Sequence, residues 1–134
     1  MNSKALKEFY QNRDILGETY EPIQAQRYSE IPTFMRAPLI NDLKQVDIGI
    51  IGIPYDGGLT GRTGARQGPR EVRNESTLMR AINVATGIRP FEIARIGDIG
   101  DVRFTNMFNL DEAHKDIQRY FDAIAAAGVL PLMV

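Results

Sequence analysis

The side chains able to do chemistry fall into two short stretches and one isolated position. The first stretch runs from Pro54 to Pro69, a glycine-rich loop that offers Asp56, Thr60, Arg62, Thr63 and Arg66. Glycines there permit backbone shapes closed to other residues and let main chain come close to a ligand. The polar groups supply hydrogen bonds and charge from that loop, although Arg66 and Arg70 equally suit tying it to neighbouring carboxylates. Gly58, Gly61 and Gly64 recur every third residue, which is not the G-x-G-x-x-G dinucleotide pattern. No Gly-Lys-Ser/Thr follows either, so a nucleotide site is weakly supported. The second stretch closes on Asp98 and Asp101, and two readings stand: carboxylates serving a site at a strand end, or acidic caps of a tight turn. The single histidine, His114, sits among Asp111, Glu112 and Asp116 and reads as solvated helix surface. One histidine and no cysteine cannot assemble a metal site that needs several converging nitrogen or sulfur ligands. No residue is therefore assigned to catalysis or to a metal.

These groups need elements to position them. Val46–Ile53 is a short apolar run rich in β-branched residues, the pattern of a strand buried on both faces of a parallel sheet. After the glycine loop, Pro69 starts a helix in the first turn, where its missing N–H costs nothing, and the helix is expected to reach about Met79. A second strand fits Ile93–Ile96 and ends in Gly97-Asp-Ile-Gly-Asp101. The next helix is the clearest: Asn109 caps it, Glu112 stands at the capping-box position, and Gly128 stops it. Along it Ala113, Ile117, Tyr120, Phe121 and Ile124 repeat at helical spacing. Val129–Val134 reads as a third strand. The order βαβαβ predicts an α/β fold with a parallel sheet and right-handed crossovers. Residues 1–45 show neither helical nor strand period beyond a short helix over Ala5–Tyr10, and are expected to form an arm lying on the larger body.

Composition narrows the function classes. A chain of 134 residues with 43% hydrophobic and 25% charged residues is that of a globular domain, not a disordered one. A net charge of −1 gives no electrostatic reason for nucleic acid as a partner. No apolar run approaches the ~20 residues of a membrane helix, and Met1–Glu8 lacks the apolar centre of a secretory signal. The expectation is a cytoplasmic protein without membrane or nucleic-acid partners.

Three stretches resemble the ureohydrolase superfamily, and within it the agmatinase, guanidinobutyrase and proclavaminate amidinohydrolase branch. Arg27-Tyr-Ser-Glu-Ile-Pro-Thr-Phe-Met-Arg36 resembles the arm motif of that branch. Gly52-Ile-Pro-Tyr-Asp-Gly-Gly58, followed by Gly64-Ala-Arg-Gln-Gly-Pro-Arg70 and Arg73, resembles its first strand, loop and helix start. Asp98-Ile-Gly-Asp101 resembles the end of its second strand.

The resemblance implies a three-layer α/β/α fold, hydrolysis of a guanidino compound with release of urea, and a binuclear manganese site, nickel in some members. Paired cations suit such chemistry because they lower the pKa of a shared water. It also implies a small guanidino substrate and a homo-oligomer, a trimer or hexamer. The family's metal ligands lie in Gly-Gly-Asp-His-Ser, Asp-x-His-x-Asp and Asp-x-Asp motifs, none of which occurs in this sequence. What carries over is the loop from Asp56 to Arg66 at the mouth of the active site, with Asp56, Thr60 and Arg62 as candidate substrate contacts. Residues 46–134 are accordingly expected to be the first part of a ureohydrolase α/β domain that is truncated, because the chain stops on a strand where a site should begin. The rival expectation is a non-catalytic module that pairs with an intact ureohydrolase subunit.

Overall fold

The computed structural model describes residues 3–10, 12–13, 19–20, 23 and 25–134. Helix α1 (Ser3–Tyr10) is followed by a two-residue antiparallel ladder between β1 (Asn12–Arg13) and β2 (Thr19–Tyr20). Two 3-10 turns, Phe34–Arg36 and Leu43–Gln45, lead into β3 (Ile48–Gly52). A third turn, Ala65–Gln67, opens α2 (Gly68–Ser76), and a fourth, Pro90–Glu92, precedes β4 (Ile96–Asp101). Helix α3 (Leu110–Ala126) and β5 (Leu130–Met133) complete the order.

The strands β4, β3 and β5 form a parallel sheet in that order, with β3 central. Successive strand residues point to opposite faces, and both faces of β3 are buried. Ile51 joins Val46, Val102, Ile124 and Val129 on the α3 side, with Ile117, Tyr120 and Phe121 packed against them. Ile50 joins Ile96 and Phe34 on the other side, covered by Met35, Phe91 and Val134. Phe34, Ile50, Ile51 and Ile124 are all but inaccessible, and burying each such side chain stabilises the fold by about 1.5–3 kcal/mol.

The segment before β3 is more than an extended arm. Phe34 is a core residue, and Pro38–Ile40 runs parallel to the outer edge of β4: Ile40 N–H donates to Asp98 O at 2.8 Å and Asp98 N–H to Pro38 O at 2.9 Å. This edge is thereby covered, which satisfies backbone groups that would otherwise await a partner. Tyr10 of α1 reaches the same strand, its hydroxyl accepting from Ile96 N–H and donating to Ala94 O. Burial, partly offset by that amide, pushes the Tyr10 phenol up to about 12.

Several element bounds differ from expectation. The second strand starts at Ile96, not Ile93, because Pro90 nucleates a 3-10 turn that leaves Ile93 two-thirds exposed. Gly97–Asp101 lies inside the strand rather than after it. Helix α2 ends at Ser76, three residues early, and β3 and β5 are each shorter at both ends than expected. Helix α3 begins where its cap predicts: Asn109 Oδ1 accepts from Glu112 N–H at 3.1 Å. It stops before Gly128, whose φ of 71° is the left-handed conformation that glycine adopts without strain. The third strand is paired but not enclosed, with Leu130, Leu132 and Met133 exposed and Val134 half-buried.

Candidate functional site

The segments after β3 and β4 leave the carboxyl ends of adjacent parallel strands, the place where open α/β sheets bind ligands. The β3 exit is the glycine loop, and Asp56 organises it. Its side chain is fully enclosed; Oδ2 accepts from Gly64 N–H at 2.7 Å and Oδ1 from Arg66 Nε at 2.5 Å. Arg66 Nη2 closes the same ion pair. The Arg66 guanidinium, followed by the Gly64 amide, holds the Asp56 carboxyl down to about 2. Gly64 reaches that geometry with φ 132°, a region L side chains avoid. Asp56 thus folds the loop back on itself. Thr60 and Arg62, the other two candidate contacts, are exposed at the tip of the same loop.

A cavity of about 210 Å³ opens between this loop and the turn before α3, lined by Tyr55, Asp56, Arg66, Met107, Phe108 and Leu110 among others. Its far wall is fixed by two short-range caps. Asn106 Oδ1 accepts from Phe108 N–H, and Asp116, in the second turn of α3, accepts from Thr105 N–H at 2.6 Å. That amide, aided by the Thr105 hydroxyl and Arg119, lowers the Asp116 pKa. His114 is exposed, as expected, while its neighbour Asp116 is buried.

Asp98 does bond a turn, since its Oδ1 accepts from Gly100 N–H, whereas the Asp101 side chain meets Arg73. Their main partner is Arg73 on α2. Arg73 Nε and Nη2 grip the two oxygens of Asp98 at 2.7 and 2.9 Å, and Nη1 reaches Asp101 at 2.8 Å. The guanidinium lies 4.0 Å from the centre of the Phe34 ring, and Phe34 N–H donates to Asp98 as well. Burial opposes the charge on Arg73, yet the two carboxylates more than offset it and its pKa is raised. Gly52 makes room for this cluster: a Cβ there would collide with the Asp101 carboxylate and with Pro69. One side chain therefore ties the arm, the helix and the end of β4 beneath the candidate mouth. Sequence reading did not single out Arg73 for this role. The signal was a cation on the inward face of α2, four residues after buried Pro69 and three before buried Ser76, where only a paired charge is tolerated.

The arginase-family sequence profile matches residues 46–134. The chain belongs to the arginase family. Guanidinopropionase of Pseudomonas aeruginosa is 45% identical over 108 residues, 81% of this chain and 34% of that protein. The solved proclavaminate amidino hydrolase from Streptomyces clavuligerus superposes with a TM-score of 0.75 at 36% identity, over 81% of this chain and 37% of its own. Trypanosoma cruzi formiminoglutamase, solved with Mn2+, superposes with a TM-score of 0.61 at 26% identity, over 78% and 35%. The chain spans about a third of the length of the relatives it matches. Its α/β architecture is that of the arginase fold, and its relatives include hydrolases of guanidino compounds.

The manganese of that family does not fit the residues at hand. Among the described residues no group of three or more His, Cys, Asp or Glu side chains is placed to hold a metal ion. Asp56, Asp98 and Asp116, the most enclosed carboxylates, are each committed to arginines or backbone amides. Among the described residues no helix is long and apolar enough to cross a membrane.

Proposed function

We propose that these residues serve a metal-dependent hydrolase that cleaves a guanidino compound and releases urea, and that their part is to form the substrate mouth and the scaffold beneath it. The observation that carries the reading is the glycine loop, matched to the arginase family and fixed by the Asp56–Arg66 pair at the carboxyl end of β3. In this reading Thr60 and Arg62 contact the tail of the substrate from the exposed loop tip, and Asp56 acts through the loop shape it enforces. Residues 46–134 are the first part of the α/β domain, residues 1–45 an arm upon it. The binuclear manganese, or nickel, is bound by ligands outside these 134 residues, so no step of the reaction is assigned to a side chain of this chain. The active form is a cytoplasmic homo-oligomer, a trimer or hexamer.

A chimera tests the reading. Residues 1–134 are joined to the remaining two-thirds of the Pseudomonas guanidinopropionase, loaded with manganese, and assayed for urea with 3-guanidinopropionate, 4-guanidinobutyrate and agmatine. Urea from at least one compound is expected. A folded, metal-loaded chimera that releases none from any of them overturns the proposal, and leaves the non-catalytic module that pairs with an intact subunit.

A further inference from the structure

Helix α2 follows directly on the glycine loop, and little apolar packing holds it to the body. Of its nine residues only Val72 is a large apolar side chain, and it is 41% exposed. A helix this short is marginal alone and normally depends on a packed apolar face. Polar ties take that part here. Beyond Arg73, which grips β4, they come from the arm. Tight turns prolong α2 as far as Met79, whose N–H donates to Ser76 O at 3.1 Å. The carbonyls of Leu78 and Met79 thus stand at the negative end of the helix. Arg27 Nη1 donates to Leu78 O at 3.1 Å and Arg36 Nη2 to Met79 O at 3.2 Å. These two arginines are the first and last residues of the arm stretch Arg27–Arg36. Arg36 Nη1 also reaches Ala25 O, and Met35 N–H donates to Ser76 Oγ at 2.8 Å. Met35 and Arg36 hold φ of 54° and 59°, a left-handed pair that such residues adopt only where the surroundings impose it. At the other end no slack separates helix from loop. Gln67 N–H donates to Gly64 O, α2 starts at Gly68, and the Gly64 amide is the one that Asp56 binds.

We propose that Arg36, with Arg27 beside it, is a positioning residue for the substrate mouth. By capping the carboxyl end of α2 it fixes the helix whose amino end delivers Gly64 and Arg66 to Asp56. The inference rests on the reading of this loop as a substrate mouth. Arginines at a helix carboxyl end favour the helix through hydrogen bonds and through its dipole, an effect confined to the last turn. What carries it to the loop is the scarcity of other contacts along α2. The helix keeps its length, and Arg73 near its middle is the pivot, so a swing at Met79 moves Gly68 as well. Arm, helix and glycine loop therefore open and close as one unit, separately from the core around β3 and α3.

Amide hydrogen exchange of the 15N-labelled 134-residue chain is the test. In Arg36→Gln the Gly64 and Val72 amides should exchange at least about tenfold faster, as the loss of one charge-assisted hydrogen bond predicts. Ile51 and Ile124 in the core should keep their rates. Arg36→Lys, which retains the charge and a donor, should recover part of the protection. Coupling of this kind is reciprocal, so Asp56→Asn should speed exchange of the Met35 amide at the far end. An unchanged Gly64 rate in Arg36→Gln, or faster exchange that stops at the last turn of α2, overturns the proposal. So does acceleration spread evenly over Ile51 and Ile124, which makes Arg36 a general stabiliser, or a Met35 rate indifferent to Asp56→Asn. Should Arg36→Gln fail to fold, Arg27→Gln, whose bond lies at the surface, decides through the same amides with about a threefold change. Because no catalysis is involved, coupled exchange without urea release by the chimera sinks only the functional reading. Urea release with uncoupled exchange sinks only this one.

Discussion

Arg73→Met removes the side chain that ties three elements together, and its cost can be worked from the contacts. Asp98 is completely inaccessible and accepts from Arg73 twice, from Phe34 N–H at 3.1 Å and from Gly100 N–H at 2.9 Å. Losing Arg73 leaves two backbone donors to a buried charge. Removing one partner of a buried pair costs about 3–5 kcal/mol, whereas the contact with the Phe34 ring is worth only about 0.5–2 kcal/mol. The stranded carboxylate therefore dominates, and methionine recovers only part of the lost packing. Against a domain stability of about 5–15 kcal/mol, this is about a fifth or more of the total. With a urea slope of about 2 kcal/mol/M, the midpoint should drop by about 2 M. The assay is urea unfolding followed by far-UV circular dichroism at micromolar protein. Adding Asp98→Asn to Arg73→Met should cost less than the two separate losses together, with a coupling energy of at least about 1 kcal/mol. An Arg73→Met variant within about 0.5 kcal/mol of the parent, as expected of a free surface position, would refute the argument.

The remaining predictions are briefer. Asp56, with its pKa near 2, and Asp47 and Asp116, also lowered, each keep their charge better folded than unfolded. Their contribution is present in full above the ordinary carboxylate pKa near 4 and is lost as pH falls from there toward 2. The urea midpoint should be flat from pH 7 to about 5 and decline below about 4, less steeply in Asp56→Asn; an unchanged slope in that variant counts against the loop pair. Exposed Leu130 and Leu132 should drive self-association of the chain at high concentration, and lysine at both positions should yield monomer by sedimentation. Equal association in the double variant would place the sticky surface elsewhere. In the chimera, Thr60→Ala and Arg62→Ala should raise KM or change substrate preference while stability moves by no more than about 0.5 kcal/mol. Unchanged kinetics on every guanidino compound would make the loop tip structural only.

What was legible in the sequence was what local chemistry dictates. The β-branched run at β3 and the Asn109 cap with its helical stripe placed a strand and a helix within a residue or two, because their signals are periodic and short-range. The glycine loop was legible as a special backbone, but not that Asp56 faces inward to Arg66, since a carboxylate on a loop looks the same whether it meets solvent or a guanidinium. Arg73, Asp98 and Phe34 were harder still. They are separated by up to 64 residues, and only the folded sheet brings helix, strand end and arm into one cluster. Pro38–Ile40 escaped for a related reason: a segment that pairs through its backbone along a strand edge needs no hydrophobic alternation of its own.

The central claim is that this chain supplies the mouth and scaffold of a guanidino-compound hydrolase and not its metal centre. Its most direct test is equilibrium dialysis of the 134-residue chain against manganese, with the retained metal counted and urea release from 3-guanidinopropionate measured on the same sample. The account predicts no stoichiometric manganese and no urea, because the most enclosed carboxylates are committed to arginines and amides and the described residues group into no metal site. One or more manganese ions held per chain, with urea released, would contradict it.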